Sequence, residues 1–186
     1  AQSALAVLYS RGAAIAVAAG AGEVAQRWFD EGESPALDAA YAEAMKEVAA
    51  RHANEDTILT LYAEAMMDTQ PWDYWEARGA KPKGHGAAIV STLETVLARN
   101  PAHPGAIHLY IHAVEASPDP RRGLPCAKRL PALMPGAGHL VHMPAHIYMR
   151  VGLYREASER NATAATVDQE YLLRHPLEGN YASGYY

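Results

Sequence analysis

Apolar residues recur every three or four positions along most of the chain, a spacing typical of amphipathic helices. The clearest stripe begins at Leu37, and it predicts a helix from Pro35 to about His52 with Ser34 as its N-cap. The pattern predicts further helices at residues 3–9, 13–29, 56–69, 87–99, 103–116, 121–132, 139–152 and 154–172. We therefore expect an all-α fold.

Two segments depart from the helical pattern. Residues 70–86 contain Pro, Gly and the aromatic side chains Trp72, Tyr74 and Trp75, so they predict a long loop that packs onto the helices and covers part of a groove. Residues 173–186 are rich in Gly and Tyr and predict an irregular tail. We expect the helices to form the body of the protein.

The second half of the chain repeats a pattern with a period of 34 residues. His142 follows His108, and His146 follows His112, at that spacing. A period of 34 residues is the length of one helix-turn-helix unit of a solenoid. Within each pair the histidines are four residues apart, so on a helix they stack on one face.

Residues 141–168 carry small, aromatic and Gly positions in the arrangement of a tetratricopeptide repeat, namely Ala145, Tyr148, Gly152, Tyr154, Ala157 and Ala164. The segments PWDYW, HPGAIHLYIHAVEAS and GHLVHMPAHIYMRVG resemble a group of bacterial tetratricopeptide-repeat proteins of no assigned function. The resemblance implies a helix-turn-helix solenoid, a right-handed superhelix of about three repeats, in a single domain over residues 1–186. The implied units are 34–99, with the 70–86 loop inserted, 100–134 and 135–172.

The resemblance also implies where the histidines lie, because the first helix of each pair lines the concave surface of such an array. Aligning residues 61–66 with 109–114 adds a preceding unit. Residues from successive units then form rows across a groove. The predicted groove residues are Thr60, Glu64, Asp68, His108, His112, Glu115, His139, His142, His146 and Arg150.

Composition narrows the classes of partner. The chain has 16 Lys and Arg against 21 Asp and Glu, a formal net charge of -5, so a nucleic-acid partner is disfavoured. Its apolar runs are too short to span a bilayer, which predicts a soluble protein and favours the cytoplasm. The single cysteine, Cys126, excludes an internal disulfide and a CxxC zinc motif, and we expect it to be buried.

The histidine rows suggest metal chemistry. Zinc sites commonly use two or three His with one carboxylate and leave a position open. His108, His112, His142 and His146 are the candidate ligands, for zinc or copper, and Glu64 or Glu115 is the candidate carboxylate ligand or general base. The HExxH motif is absent, so the residues do not establish an enzyme.

Two other interpretations remain open. The histidines would equally form a polar lining that receives a peptide or a partner protein, and this is the function we favour from the sequence. Clustered imidazoles would also make a groove that responds to pH, because they titrate near neutrality. The end of the array, residues 154–186, is a candidate surface for homo-oligomer formation, because unfinished repeat arrays expose apolar faces.

Overall fold

The computed structural model describes residues 35–174 of the chain. The helices predicted at 3–9 and 13–29, the N-cap Ser34 and the tail from residue 175 onwards lie outside the described residues. Within the described part, no helix combines the length and the apolar character needed to cross a membrane.

Helices account for most of the described residues. They are α1 (Pro35–Arg51), α2 (Asp56–Asp68), α3 (Gly86–Arg99), α4 (Pro104–Val114), α5 (Leu124–Leu133), α6 (Gly138–His142), α7 (Pro144–Val151) and α8 (Tyr154–Arg174), with a short 3-10 helix at Pro120–Gly123. Two strands of two residues each, β1 (Trp75–Glu76) and β2 (Lys81–Pro82), lie in the 70–86 segment. The predicted all-α fold is confirmed.

Each helix packs mainly against its neighbours in sequence, which is the contact pattern of a solenoid. Helices α1 to α5 pack in succession, and α8 packs on both α6 and α7. Their apolar stripes meet in one continuous core. Its most completely buried large side chains include Met45, Ile58, Met66, Ile89, Leu93, Ile107, Ile111, Leu130, Leu140, Met143 and Ile147. Cys126 is buried as expected.

The 70–86 segment is a docked hairpin instead of a loop without strands. β1 and β2 pair antiparallel, with Trp75 opposite Pro82. Tyr74 is buried, and the indole Nε1 of Trp75 donates a hydrogen bond to the Ala113 carbonyl oxygen at 2.7 Å, which attaches the hairpin to α4. Trp72 is the least buried of the three aromatic residues, with 66% of its surface exposed, and the face that is covered lies against His112 of α4.

The helix predicted over residues 139–152 is broken at Met143. Pro144 has no N–H, so it cannot continue the hydrogen-bond ladder of α6, and it occupies the first position of α7 instead. The break places His139 and His142 on a short helix of their own, while His146 lies on the next one. It therefore changes the directions in which the three histidines point.

Candidate functional site

Five histidines from two parts of the chain lie together in the structure. α4 contributes His108 and His112, which are one helical turn apart, and α4 contacts α7. His139 and His142 come from α6 and His146 from α7. The two segments that repeat each other in the sequence are thus neighbours in space.

His108, His112 and His139 form one close group. The Nε2 atoms of His108 and His139 are 3.0 Å apart, and the ring of His112 lies 5.0 Å from that of His108, centroid to centroid. One nitrogen from each of the three rings lies within 4.8 Å of the other two. His112 is buried, with 7% of its surface exposed, and the other two are half-buried. This group could hold one metal ion.

Glu115 connects this group to His146. Its Oε1 lies 3.3 Å from Nδ1 of His112, and its Oε2 lies 3.0 Å from Nδ1 of His146. Burial raises the pKa of Glu115, but the hydrogen bonds and charges of the two histidines outweigh it and lower that pKa to about 2. The ionised carboxylate only accepts hydrogen bonds, so both rings carry their proton on Nδ1 and leave Nε2 free to bind a cation.

His142 and His146 form a second close pair. Their Nε2 atoms are 3.0 Å apart, and Nδ1 of His142 lies 2.7 Å from Oδ1 of Asn161 on α8. His146, Glu115 and His112 make up the other group of three whose ligand atoms lie within 4.8 Å of one another.

Burial keeps the inner histidines neutral at pH 7. Together with the charges of neighbouring histidines, it lowers the pKa of His139 to about 4 and that of His108 well below its usual range. The pKa of His112 is also lowered, mainly by burial and partly against the effect of Glu115. Neutral imidazole is the form that binds metal ions, so these rings need not lose a proton first.

Two further features border the five histidines, which we call the cluster. The Trp72 ring meets that of His112 edge-on at 4.6 Å, and Trp72 has a φ of 62°, which is uncommon for a bulky residue. A cavity of about 340 Å³ opens beside His139 and His142. Its other walls are Gly138, Asn161, Ala164, Ala165 and Asp168.

The other predicted groove residues are Thr60, Glu64, Asp68 and Arg150. Glu64 and Asp68 are half-buried and face Tyr41, whose pKa is raised to about 12 by burial and by their charges. The Thr60 hydroxyl donates to the Asp56 carbonyl oxygen at 2.8 Å, within its own helix. Arg150 is exposed. Among the described residues, the groups of ligand atoms close enough to share an ion contain Glu115 but not Glu64 or Asp68.

Sequence reasoning did not identify Asn161 and did not connect Trp72 with the histidines. Asn161 lies on α8, where it faces His142, and the packing of α8 on α6 brings the two together. A signal for Trp72 was present, since an aromatic side chain in a long Pro- and Gly-rich segment is available to cover a neighbouring site.

Comparison with known proteins identifies the fold. No protein-family model matches the chain, and no curated protein matches it. Among solved structures, the chain is similar to MamA MSR-1 C2, a protein that contains tetratricopeptide repeats. The two align with a TM-score of 0.54 and 15% sequence identity over 88% of this chain and 96% of that chain. The chain therefore has a tetratricopeptide-repeat-like, all-α solenoid fold.

Proposed function

We propose that the chain is a tetratricopeptide-repeat-like binding module that holds a divalent transition metal through His108, His112 and His139. The observation that carries this proposal is the 3.0 Å separation of the His108 and His139 Nε2 atoms, with a His112 nitrogen within 4.8 Å. Two nitrogens bound tetrahedrally to zinc at 2.0–2.1 Å lie about 3.4 Å apart. The separation of the His108 and His139 Nε2 atoms is thus within a few tenths of an ångström of the separation expected for two zinc ligands.

The types of ligand favour some ions over others. Three neutral imidazoles suit zinc, copper or nickel, whereas magnesium and calcium prefer oxygen ligands. Three protein ligands leave a position open for water or a substrate, as in catalytic zinc sites. Glu115 fits a positioning role, since each of its oxygens already pairs with an Nδ1 atom.

Metal uptake tests this proposal directly. Tag-free protein, dialysed against a chelator and then against buffer, is titrated with zinc, and bound metal is measured by elemental mass spectrometry. We expect His139→Gln and His112→Gln to lose the tightest-bound zinc. The matched control is His52→Gln, an exposed position at the end of α1, which should keep it. Wild-type protein that takes up no zinc would overturn the proposal.

A peptide or partner-protein ligand is the second candidate. Solenoids of this type offer extended binding surfaces, and the exposed Trp72 beside His112 supports such a use here. Bulky residues with positive φ are strained, and such strain concentrates at functional sites. A Trp held in this way offers a large contact area at low entropic cost.

The peptide candidate is tested with a random peptide library. Peptides enriched on wild-type protein are measured by calorimetry against two variants. Trp72→Ala should weaken their binding at least about tenfold, as expected for a central aromatic contact. Tyr154→Ala, which removes another exposed aromatic residue away from the cluster, should leave binding unchanged. Equal effects of the two substitutions would contradict this candidate.

A further inference from the structure

We propose that His142 and His146 form a second metal site, so that the chain binds two ions with unequal affinity. The inference rests on the proposed function in one respect, since it takes the His108–His112–His139 group as the first site. Hydrogen bonds to Asn161 and Glu115 determine which nitrogen of each of these two rings carries the proton.

The proton of His146 is placed by Glu115. The carboxylate Oε2 is 3.0 Å from Nδ1 of His146, and an ionised carboxylate has no proton to donate. Nδ1 is therefore the donor. In a neutral imidazole with its proton on Nδ1, the Nε2 atom carries a lone pair.

The proton of His142 is placed by Asn161. The amide oxygen Oδ1 of Asn161 lies 2.7 Å from Nδ1 of His142, and an amide oxygen only accepts hydrogen bonds. His142 thus also carries its proton on Nδ1. Its Nε2 lone pair faces that of His146 across 3.0 Å. Two lone pairs at that distance repel each other unless an electropositive atom lies between them, either a proton or a metal ion.

The second pair is separate from the first site. His142 belongs to neither of the two groups of three ligand atoms that lie within 4.8 Å of one another among the described residues. The group made by His112, Glu115 and His146 contains the two contacts between Nδ1 and the carboxylate, so N–H protons already occupy it. We therefore treat the pair His142 and His146 as a site distinct from the inner three histidines.

The surroundings of the pair explain why its affinity should be lower. The pair itself supplies two ligand nitrogens, so water or an oxygen-donor ligand must complete the coordination. Space for one exists, because the cavity of about 340 Å³ is lined by His142 as well as by His139 of the first site. His142 is half-buried and the His146 side chain is 25% exposed, so solvent can reach an ion bound by this pair. We expect the inner site to fill first.

The number of zinc ions bound per chain tests whether His142 and His146 form a second site. Calorimetric titration of wild-type protein, checked by elemental mass spectrometry, should give two ions per chain in a tight and a weaker step. His142→Gln should keep the tight step and lose the weaker one. Asn161→Ala, on the exposed surface of α8, should weaken the second step alone. Without the amide oxygen, nothing holds the proton of His142 on Nδ1 and keeps Nε2 available for the ion. Circular dichroism confirms that each variant is folded.

The other outcomes have distinct meanings. One zinc per chain, unaffected by His142→Gln, would mean that a proton occupies the pair, and it would overturn this inference while leaving the proposed function intact. No zinc at all would overturn both. Two ions in His142→Gln would place the second site elsewhere. Nitrogen-15 NMR of labelled histidines provides an independent readout, since Nε2 of His142 and His146 should shift only in the second step.

Discussion

Glu115 contacts two histidines of the candidate site, and the proposed metal does not require it as a ligand. It holds the Nδ1 protons of two rings that come from different helices, which leaves their Nε2 atoms available. Its pKa of about 2 means that it stays ionised throughout the range in which histidine titrates. Glu115 would therefore belong to the metal site as the group that orients two of its histidines.

Replacement of this carboxylate tests that role. We predict that Glu115→Gln weakens zinc binding about 10- to 100-fold, because an amide can donate to one Nδ1 atom and so change its tautomer. Competition with a fluorescent chelator measures the affinity. Glu43→Gln, at an exposed position of α1, is the control and should bind zinc like the wild type. Equal affinities for wild type and Glu115→Gln would show that the carboxylate does not orient the ligands.

His103 has a separate role outside the cluster, as the N-cap of α4. Its Nδ1 accepts a hydrogen bond from the Ala106 N–H at 3.1 Å, which requires an unprotonated nitrogen. Burial lowers the pKa of His103, partly opposed by Asp56. The unfolded chain, with a pKa of about 6.5, then binds more protons than the folded one. The stabilising effect of this neutral cap is present above about pH 6.5 and is lost as the pH falls toward the lower folded pKa.

We predict that His103→Asn reduces this acid sensitivity, because Asn accepts the same hydrogen bond and does not titrate. The measurement is urea unfolding of metal-free wild-type and variant protein at pH 7.5 and 5.5. The free energy of unfolding of the wild type should fall more between these values than that of the variant. A parallel decrease in both proteins would contradict the role assigned to His103.

The 70–86 hairpin contacts both the end of α4 and one histidine of the candidate site. Gly79 has a φ of +90°, and a Cβ built on it would lie 2.4 Å from the Ala116 carbonyl oxygen, just after α4. Only Gly allows both this conformation and this close approach. The hairpin therefore packs against the end of the helix that carries His108 and His112, and it holds Trp72 beside them.

Gly79→Ala should accordingly destabilise the protein more than Gly152→Ala. Gly152 has a similar φ of +84°, but a Cβ there would meet nothing within 4 Å, so its substitution costs only the left-handed backbone, about 1–2 kcal/mol. The clash at Gly79 adds to that cost. Urea unfolding of both variants measures the difference, and equal losses would mean that the hairpin moves away without penalty.

In the whole molecule, the candidate ligands come from helices that are well separated in the chain. α4 and α6 have the 3-10 helix and α5 between them in sequence, so an ion bound by His108 and His139 would link α4 directly to α6. Binding to the folded state alone stabilises that state. The C-terminal end remains a predicted surface for self-association, and Leu173 near the end of α8 is 80% exposed.

We predict that zinc at about 100 times its dissociation constant raises the free energy of unfolding by about 2.7 kcal/mol. The measurement is urea unfolding with and without zinc. His139→Gln is expected to show a much smaller rise, because it removes the metal ligand that α6 supplies. A rise of the same size in both proteins would assign the stabilisation to zinc bound elsewhere.

The sequence by itself determined what depends on neighbours a few residues apart. Helical periodicity, the Pro at the start of α1 and α4, and the four-residue spacing of His108 and His112 are local, and the period of 34 predicted a solenoid from the chain alone. The tertiary structure decided which residues of different elements meet. It brought Glu115 rather than Glu64 to the histidines, paired His108 with His139, and set Asn161 against His142. These contacts depend on the break at Pro144 and on how α4, α6 and α8 pack, and a pattern along one helix does not specify the rotation of the next.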